Sequence, residues 1–137
     1  MNFESVLLFL MVFLLIVLVI FSIVNARYFK RNENKYNELL TEYRQRGLDL
    51  DSVTKFATYF GSLVIYQKII WFVRLYKGVK MKYTNDRYVQ PEAYQFIQSL
   101  PEEKIAWILK LHRLYMIQFA LMTLWFAVLA TIWIFYK

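Results

Sequence analysis

Polar positions almost vanish at the two ends of the chain and crowd into a long middle. From Val6 to Phe21, VLLFLMVFLLIVLVIF, every residue is apolar, and allowing Ser22 the run reaches Val24. As a helix this stretch is about 28 Å long at about 1.5 Å per residue, close to the ~30 Å hydrocarbon thickness of a bilayer. A cleaved signal peptide has a basic leading segment and a shorter apolar core. Here the leading segment is MNFE, so the pattern predicts a retained transmembrane helix over residues 5–25. Leu114 to Tyr136 carries no charge, is bracketed by Arg113 and Lys137, and has Tyr115, Trp133 and Tyr136 near its ends. Amphipathic rings favour the headgroup level, and this pattern predicts a second transmembrane helix over 114–136.

Between them, residues 26–113 read as a basic, mainly helical cytoplasmic or interfacial region. Tyr36, Leu39, Leu40 and Tyr43 follow the i, i+3, i+4, i+7 spacing of a one-faced helix from about Asn34 to Arg46, which Gly47 ends. Asp49 or Asp51 with Ser52 offers an N-cap for a helix from Val53 to about Tyr76. Making that segment a third span would place Lys68 near the bilayer centre at about 2.5–3.5 kcal/mol. It would also move the bases from Arg74 to Arg113 to the opposite side. Its polar residues form no single stripe, so an interfacial or protein-packed helix is expected, with Lys and Arg stems lying along apolar surface.

Val79 to Val89 alternates weakly around Asn85-Asp86, the pattern of a short hairpin or an irregular loop. Pro91 sits at the first turn of a further helix, and Ser99-Leu100-Pro101-Glu102 reads as a bend with a capping box. No breaker follows Pro101, which predicts one helix from there to the C-terminus. Ile105, Ile108, Leu109 and His112 recur on one face of its first third.

Charge sharpens this division. Seventeen Lys and Arg against ten acids give +7, and all the bases except Lys137 fall between Arg27 and Arg113. By the positive-inside tendency the middle is cytoplasmic and both termini lie outside. No acid occurs from Ser52 to Asn85, where bases are interleaved with Tyr, Trp, Phe and Met. Lys68, Arg74, Lys77, Lys80 and Lys82 are therefore candidate contacts for anionic lipid headgroups, each base contributing roughly 1 kcal/mol near such a surface. Phe60, Val64, Trp71, Phe72, Gln118 and Thr123 are candidate contacts for helix packing or a membrane partner. No recognition motif points to nucleic acid.

Chemistry is sparse. The chain is 59% apolar and 20% aromatic, and its lack of cysteine excludes disulfides, thiolate metal sites and thiol nucleophiles. His112 is the single histidine, so no His-only metal set exists. Glu102 and Glu103 fit the N-terminal end of a helix dipole. There is no Gly-rich phosphate loop, GxSxG, HExxH or acidic calcium loop. The pattern predicts no enzyme and no cofactor. Gln118, Thr123 and Thr131, the polar residues of the second span, leave an oligomeric pore as the alternative.

IVNARYF (Ile23 to Phe29), IIWFVRLYK (Ile69 to Lys77) and the apolar helix that follows a basic stalk resemble the bacterial universal stress protein B family. That resemblance implies a small inner-membrane protein with a span at each end and a role in stress adaptation. The expectation is an all-α membrane protein acting as an accessory subunit, through a membrane partner or itself and through anionic lipid.

Overall fold

The computed structural model describes residues 2–57, 64–84 and 87–136. The chain divides into two compact units, residues 1–25 with 113–137, and residues 26–112.

Two long helices run through the terminal regions: α1, Phe3–Arg31, and α6, Glu102–Phe135. Both are long and apolar enough to cross a membrane. Asn2 starts α1, its side-chain Oδ1 accepting the Ser5 N–H at 2.7 Å and so satisfying one of the unpaired donors of the first turn. In the first unit α1 and α6 pack antiparallel. The Phe3 ring lies 6.4 Å from that of Tyr136, while the Trp125 indole N–H donates to the Met11 carbonyl at 3.2 Å. Leu7, Leu14 and Val128 are buried at the contact, flanked by Leu10, Met11, Leu121, Trp125 and Ile132. Positions 7, 11, 14 and 18 on one helix and 118, 121, 125, 128 and 132 on the other advance by alternate threes and fours. That spacing keeps a seam on the partner as in a coiled coil.

The second unit is built around α4, Ile65–Lys77, which buries Ile69, Trp71, Phe72, Val73 and Leu75. Against it lies α2, Glu33–Gln45, whose buried face is Tyr36, Leu39, Leu40 and Tyr43, the four residues that the spacing selects. Phe72 makes T-shaped contacts with two rings, Tyr36 at 6.0 Å and Tyr43 at 5.5 Å. Edge-to-face contacts of this kind contribute about 0.5–1.5 kcal/mol beyond area burial. Tyr43 also donates to the Asp49 carbonyl at 2.6 Å and accepts from the Trp71 indole at 3.3 Å.

Helix ends follow the residues present. Both α2 and α4 close with a glycine at φ 74°, Gly47 and Gly78. Leu48 N–H then returns to the Tyr43 carbonyl and Val79 N–H to the Arg74 carbonyl, so the last carbonyls are satisfied. The short α3, Ser52–Ala57, is capped by Asp51, whose Oδ1 accepts the Thr54 N–H at 2.9 Å. Of the helix expected from Val53 to about Tyr76, residues 58–63 lie outside the described residues; α3 and α4 are its described parts.

The alternating segment forms an antiparallel hairpin, β1 Lys82–Thr84 and β2 Arg87–Tyr88, with Lys82 opposite Tyr88 and Thr84 opposite Arg87. A small β element therefore joins an otherwise helical fold. Pro91 opens α5, Pro91–Gln98. The expected capping box at Ser99 does not form. The Ser99 hydroxyl donates instead to the Phe96 carbonyl at 2.9 Å, closing α5, and α6 begins after Pro101.

Candidate functional site

Within the first unit the seam changes character at one level. Asn25 is completely buried and Gln118 nearly so. The Asn25 amide donates to Gln118 Oε1 at 2.6 Å, and the Gln118 amide donates to Ser22 Oγ at 3.1 Å. Asn25 falls on the three-and-four spacing that begins at Leu7, so both amides occupy seam positions. Asn25 Oδ1 has no hydrogen-bond partner among the described residues. A buried polar side chain among apolar ones fixes register at a cost in stability, and these are the described polar groups that α1 and α6 bury together in this unit.

The outward faces are apolar. Phe9 is 65% exposed and Ile16 54%, while Phe126 is 55% exposed on the other helix. Large apolar side chains thus face outward as well as into the seam, and the two amides are turned inward. Thr123 and Thr131 are not at the buried seam. Their hydroxyls donate to the carbonyls of Phe119 at 3.0 Å and Ala127 at 2.8 Å, one turn back on their own helix. Thr123 is an exposed, self-satisfied residue, whereas Gln118 is the packing contact expected of it.

In the second unit the expected lipid-contacting bases separate into three environments. Lys68 is almost fully buried on α4, with Nζ 5.3 Å from the Phe29 ring centroid and 5.5 Å from that of Tyr36. Its ammonium lies against two ring faces, where the negative quadrupole attracts a cation. Burial pushes its pKa below the ordinary value, an effect that the Glu33 carboxylate opposes. A side chain held this way is part of the interior and does not reach a headgroup. Trp71 and Phe72 are interior as well, and of the two expected roles, helix packing or a partner contact, they take helix packing, against Tyr36 and Tyr43 of α2. Val64 is half-buried just before α4. Phe60 lies outside the described residues.

Arg74 and Lys77 are exposed near the end of α4. His112, on α6, is buried and stacks on Tyr66 of α4, centroids 6.4 Å apart and planes 17° from parallel. Burial first, then the charges of Lys77 and Arg74, push the imidazole pKa below its ordinary value. With Ile105 and Ile108 also buried, this face of α6 packs within the unit as its spacing predicts. Among the described residues no three His, Asp or Glu side chains gather where they could hold a metal ion.

Lys80 stands just before the hairpin and Lys82 opens it. Their Nζ atoms lie 5.1 and 4.7 Å from the centroid of one exposed ring, Tyr88. On the other side of the strand Tyr83 is buried against Trp71, with ring centroids 5.9 Å apart, and Arg87 lies over its face at 5.1 Å. Sequence patterning placed Lys80 and Lys82 in one basic run with Lys68. It carried no sign that Tyr88 would gather two of these bases while Phe29 and Tyr36 enclosed the third. Asn25 stands just beyond the apolar run, and the seam spacing from Leu7 is the sequence signal that marks it. Comparison with family models, with curated proteins and with solved structures finds no match to this chain.

Proposed function

We propose that this chain is a non-enzymatic integral membrane protein with two transmembrane helices, α1 and α6, and that it serves as an accessory subunit. It acts by helix packing with a membrane partner or with a second copy, and by contact with anionic lipid. The observation that carries this reading is the pair of apolar outward faces on α1 and α6, with an amide pair turned into the seam between them. In water such outward faces would be uncovered apolar surface well beyond that of an ordinary monomer. In a bilayer they are solvated by acyl chains, and the amide–amide contact is satisfied between helices.

The stress-adaptation setting and the bacterial inner membrane rest on the resemblance of Ile23 to Phe29 and Ile69 to Lys77 to the universal stress protein B family. Residues 26–112 are assigned to the cytoplasmic side because the bases cluster there. The accessory role rests on the sparse chemistry of the second unit together with the outward apolar faces of the first. A pore is less well supported, since Gln118 bonds to Asn25 and both threonines bond to their own backbone.

The absence of cysteine makes the topology directly measurable. Single substitutions Asn2→Cys, Lys35→Cys, Glu92→Cys and Tyr136→Cys are treated with an impermeant maleimide in intact cells, and membranes are washed at alkaline pH. The expected result is retention in the membrane, with labelling at 2 and 136 from outside and at 35 and 92 only after permeabilisation. Release by the alkaline wash, or opposite sidedness of 35 and 92, overturns the two-span reading. Purification in mild detergent tests the accessory role, and a monomer that co-purifies with nothing overturns it.

A further inference from the structure

The end of α4, the hairpin and α5 enclose a groove with a defined wall. Gly78, at φ 74°, turns the chain out of α4 into the segment that leads to β1. The Tyr94 hydroxyl of α5 then fixes that segment, donating to the Val79 carbonyl at 2.6 Å and accepting the Met81 N–H at 3.1 Å. From the same helix, the Gln98 amide donates to the carbonyls of Leu75 at 3.4 Å and Tyr76 at 3.3 Å, the last carbonyls of α4. The space between these elements is an open groove of about 330 Å³, lined by Lys80, Met81, Tyr88, Val89 and Tyr94 together with Gly78 and Gln98.

Two properties of this groove point to one kind of occupant. Most of the surface lining it is apolar, and its margin carries exposed Tyr88 and Val79. Its charge is of one sign. Lys82 opens β1 and Lys80 stands two residues before it, and both ammoniums crowd the Tyr88 ring. No acid lines the groove, and among the described residues neither lysine forms an ion pair. Bringing two like charges to one ring is unfavourable until an anion sits between them. An apolar floor with a doubly cationic rim complements an amphiphile whose charged end is anionic.

We infer that the groove lined by Lys80, Met81, Tyr88, Val89 and Tyr94, with Lys82 beside it at the Tyr88 ring, is a binding site for an anionic phospholipid, the two lysines holding the headgroup phosphate and the aromatic floor holding the start of an acyl chain. This rests on the two-span reading and assigns its lipid contact to one surface. It also narrows the set of bases involved. Lys68 is interior, and Arg74 and Lys77 are not among the residues that line the groove, so Lys80, with Lys82 at the same Tyr88 ring, is the base joined to it. Tyr88 serves both parts, since it lines the groove and its ring meets both ammoniums.

The test uses the full chain in nanodiscs of phosphatidylcholine alone, or with phosphatidylglycerol, and reads acetylation of individual lysines by an amine-reactive reagent. Lys35 is the exposed reference. Labelling of Lys80 and Lys82 is expected to fall several-fold with phosphatidylglycerol, to be unmoved by inorganic phosphate, and to change more than that of Lys35. In native mass spectrometry, the double variant Lys80→Gln/Lys82→Gln is expected to retain phosphatidylglycerol roughly ten- to thirty-fold more weakly, the change for removing two bases from an anionic surface.

Three results overturn the assignment: equal labelling in both nanodiscs, protection by inorganic phosphate that matches protection by the lipid, or equal protection of Lys35. The first leaves the groove empty of anionic lipid, the second makes it a site for free anions, and the third reduces it to diffuse surface charge. A chain washed out at alkaline pH defeats the two-span reading. A chain that stays embedded but shows one of these three defeats the groove alone.

Discussion

Asn25 and Gln118, 93 residues apart in sequence, meet at a buried amide–amide hydrogen bond of 2.6 Å. Interhelical hydrogen bonds of this kind contribute about 0.6 kcal/mol on average in a membrane, with a maximum near 1.7. Their larger effect is on register, since each seam residue of α1 is then set against one neighbourhood of α6. Asn25→Leu or Gln118→Leu alone leaves the other amide buried without its partner and is expected to cost about 1–3 kcal/mol. The double variant Asn25→Leu/Gln118→Leu should recover most of that loss while relaxing the register. Disulfide trapping between cysteines placed at Met11 and Trp125, next to the indole–carbonyl contact, reads the alignment. A double variant that traps only this pair, as efficiently as the parent, removes the register argument.

Tyr36 and Tyr43 form a matched pair with opposite expectations. Both are buried, and burial pushes both phenol pKa values upward. The Tyr43 hydroxyl has a carbonyl acceptor and an indole donor, whereas the Tyr36 hydroxyl has no partner among the described residues. Tyr43→Phe should destabilise the second unit by about 1–3 kcal/mol. Tyr36→Phe should be neutral or stabilising by up to about 1 kcal/mol, because it removes a buried polar atom without orphaning another. Denaturant unfolding followed by tryptophan fluorescence measures both.

Lys68 gives a pH dependence of definite sign. Its amine pKa is lowered in the fold from 10.5, first by burial. Between the lowered value and 10.5 the unfolded chain holds a proton that the folded chain has released, so stability rises with pH across that window. Below the window the full cost of burying the charge is present. Lys68→Met should abolish the rise. At pH 7 it should be neutral or slightly stabilising, because the ring–cation attraction of about 0.5–2 kcal/mol lost is offset by removal of the buried charge. Equilibrium unfolding from pH 7 to 11 checks this.

The opposite sign applies at Asp49. Its carboxylate meets Lys55 Nζ at 2.9 Å and accepts the Leu50 N–H at 2.9 Å, and these contacts lower its pKa below 3.8 despite partial burial. Its stabilisation is present above about pH 4 and is lost as pH falls through the lowered folded value. The pair is half exposed, so Asp49→Asn should cost only about 0.5 kcal/mol at pH 7. It should also flatten the acid limb of the stability curve, measured by thermal unfolding between pH 2.5 and 7.

Local signals in the sequence were faithful where the decision was local. The spacing of Tyr36, Leu39, Leu40 and Tyr43 named the buried face of α2, Gly47 marked its end, and Pro91 marked the start of α5. The hairpin was legible as one of two alternatives. Long-range decisions were not accessible in the same way. Ser99 had two carbonyl and amide environments within reach, and packing at the end of α5 chose the Phe96 carbonyl. Lys68 looked like its basic neighbours because nothing in its local sequence reveals that Phe29 and Tyr36 converge on it. For the same reason the sequence leaves open whether Trp71 and Phe72 pack on a helix or meet a partner, and the groups that cover them come from α2 and the hairpin.

The wide sequence gap between the two seam amides sets a clock on biosynthesis. At about 5–20 residues per second, Gln118 leaves the ribosome roughly 5–20 seconds after Asn25. Throughout that delay the newly made first helix holds an amide whose eventual mate does not yet exist. A neighbouring nascent chain or an insertion factor can answer it in the meantime, so the sequence of emergence itself gives an early opportunity for exchange between copies.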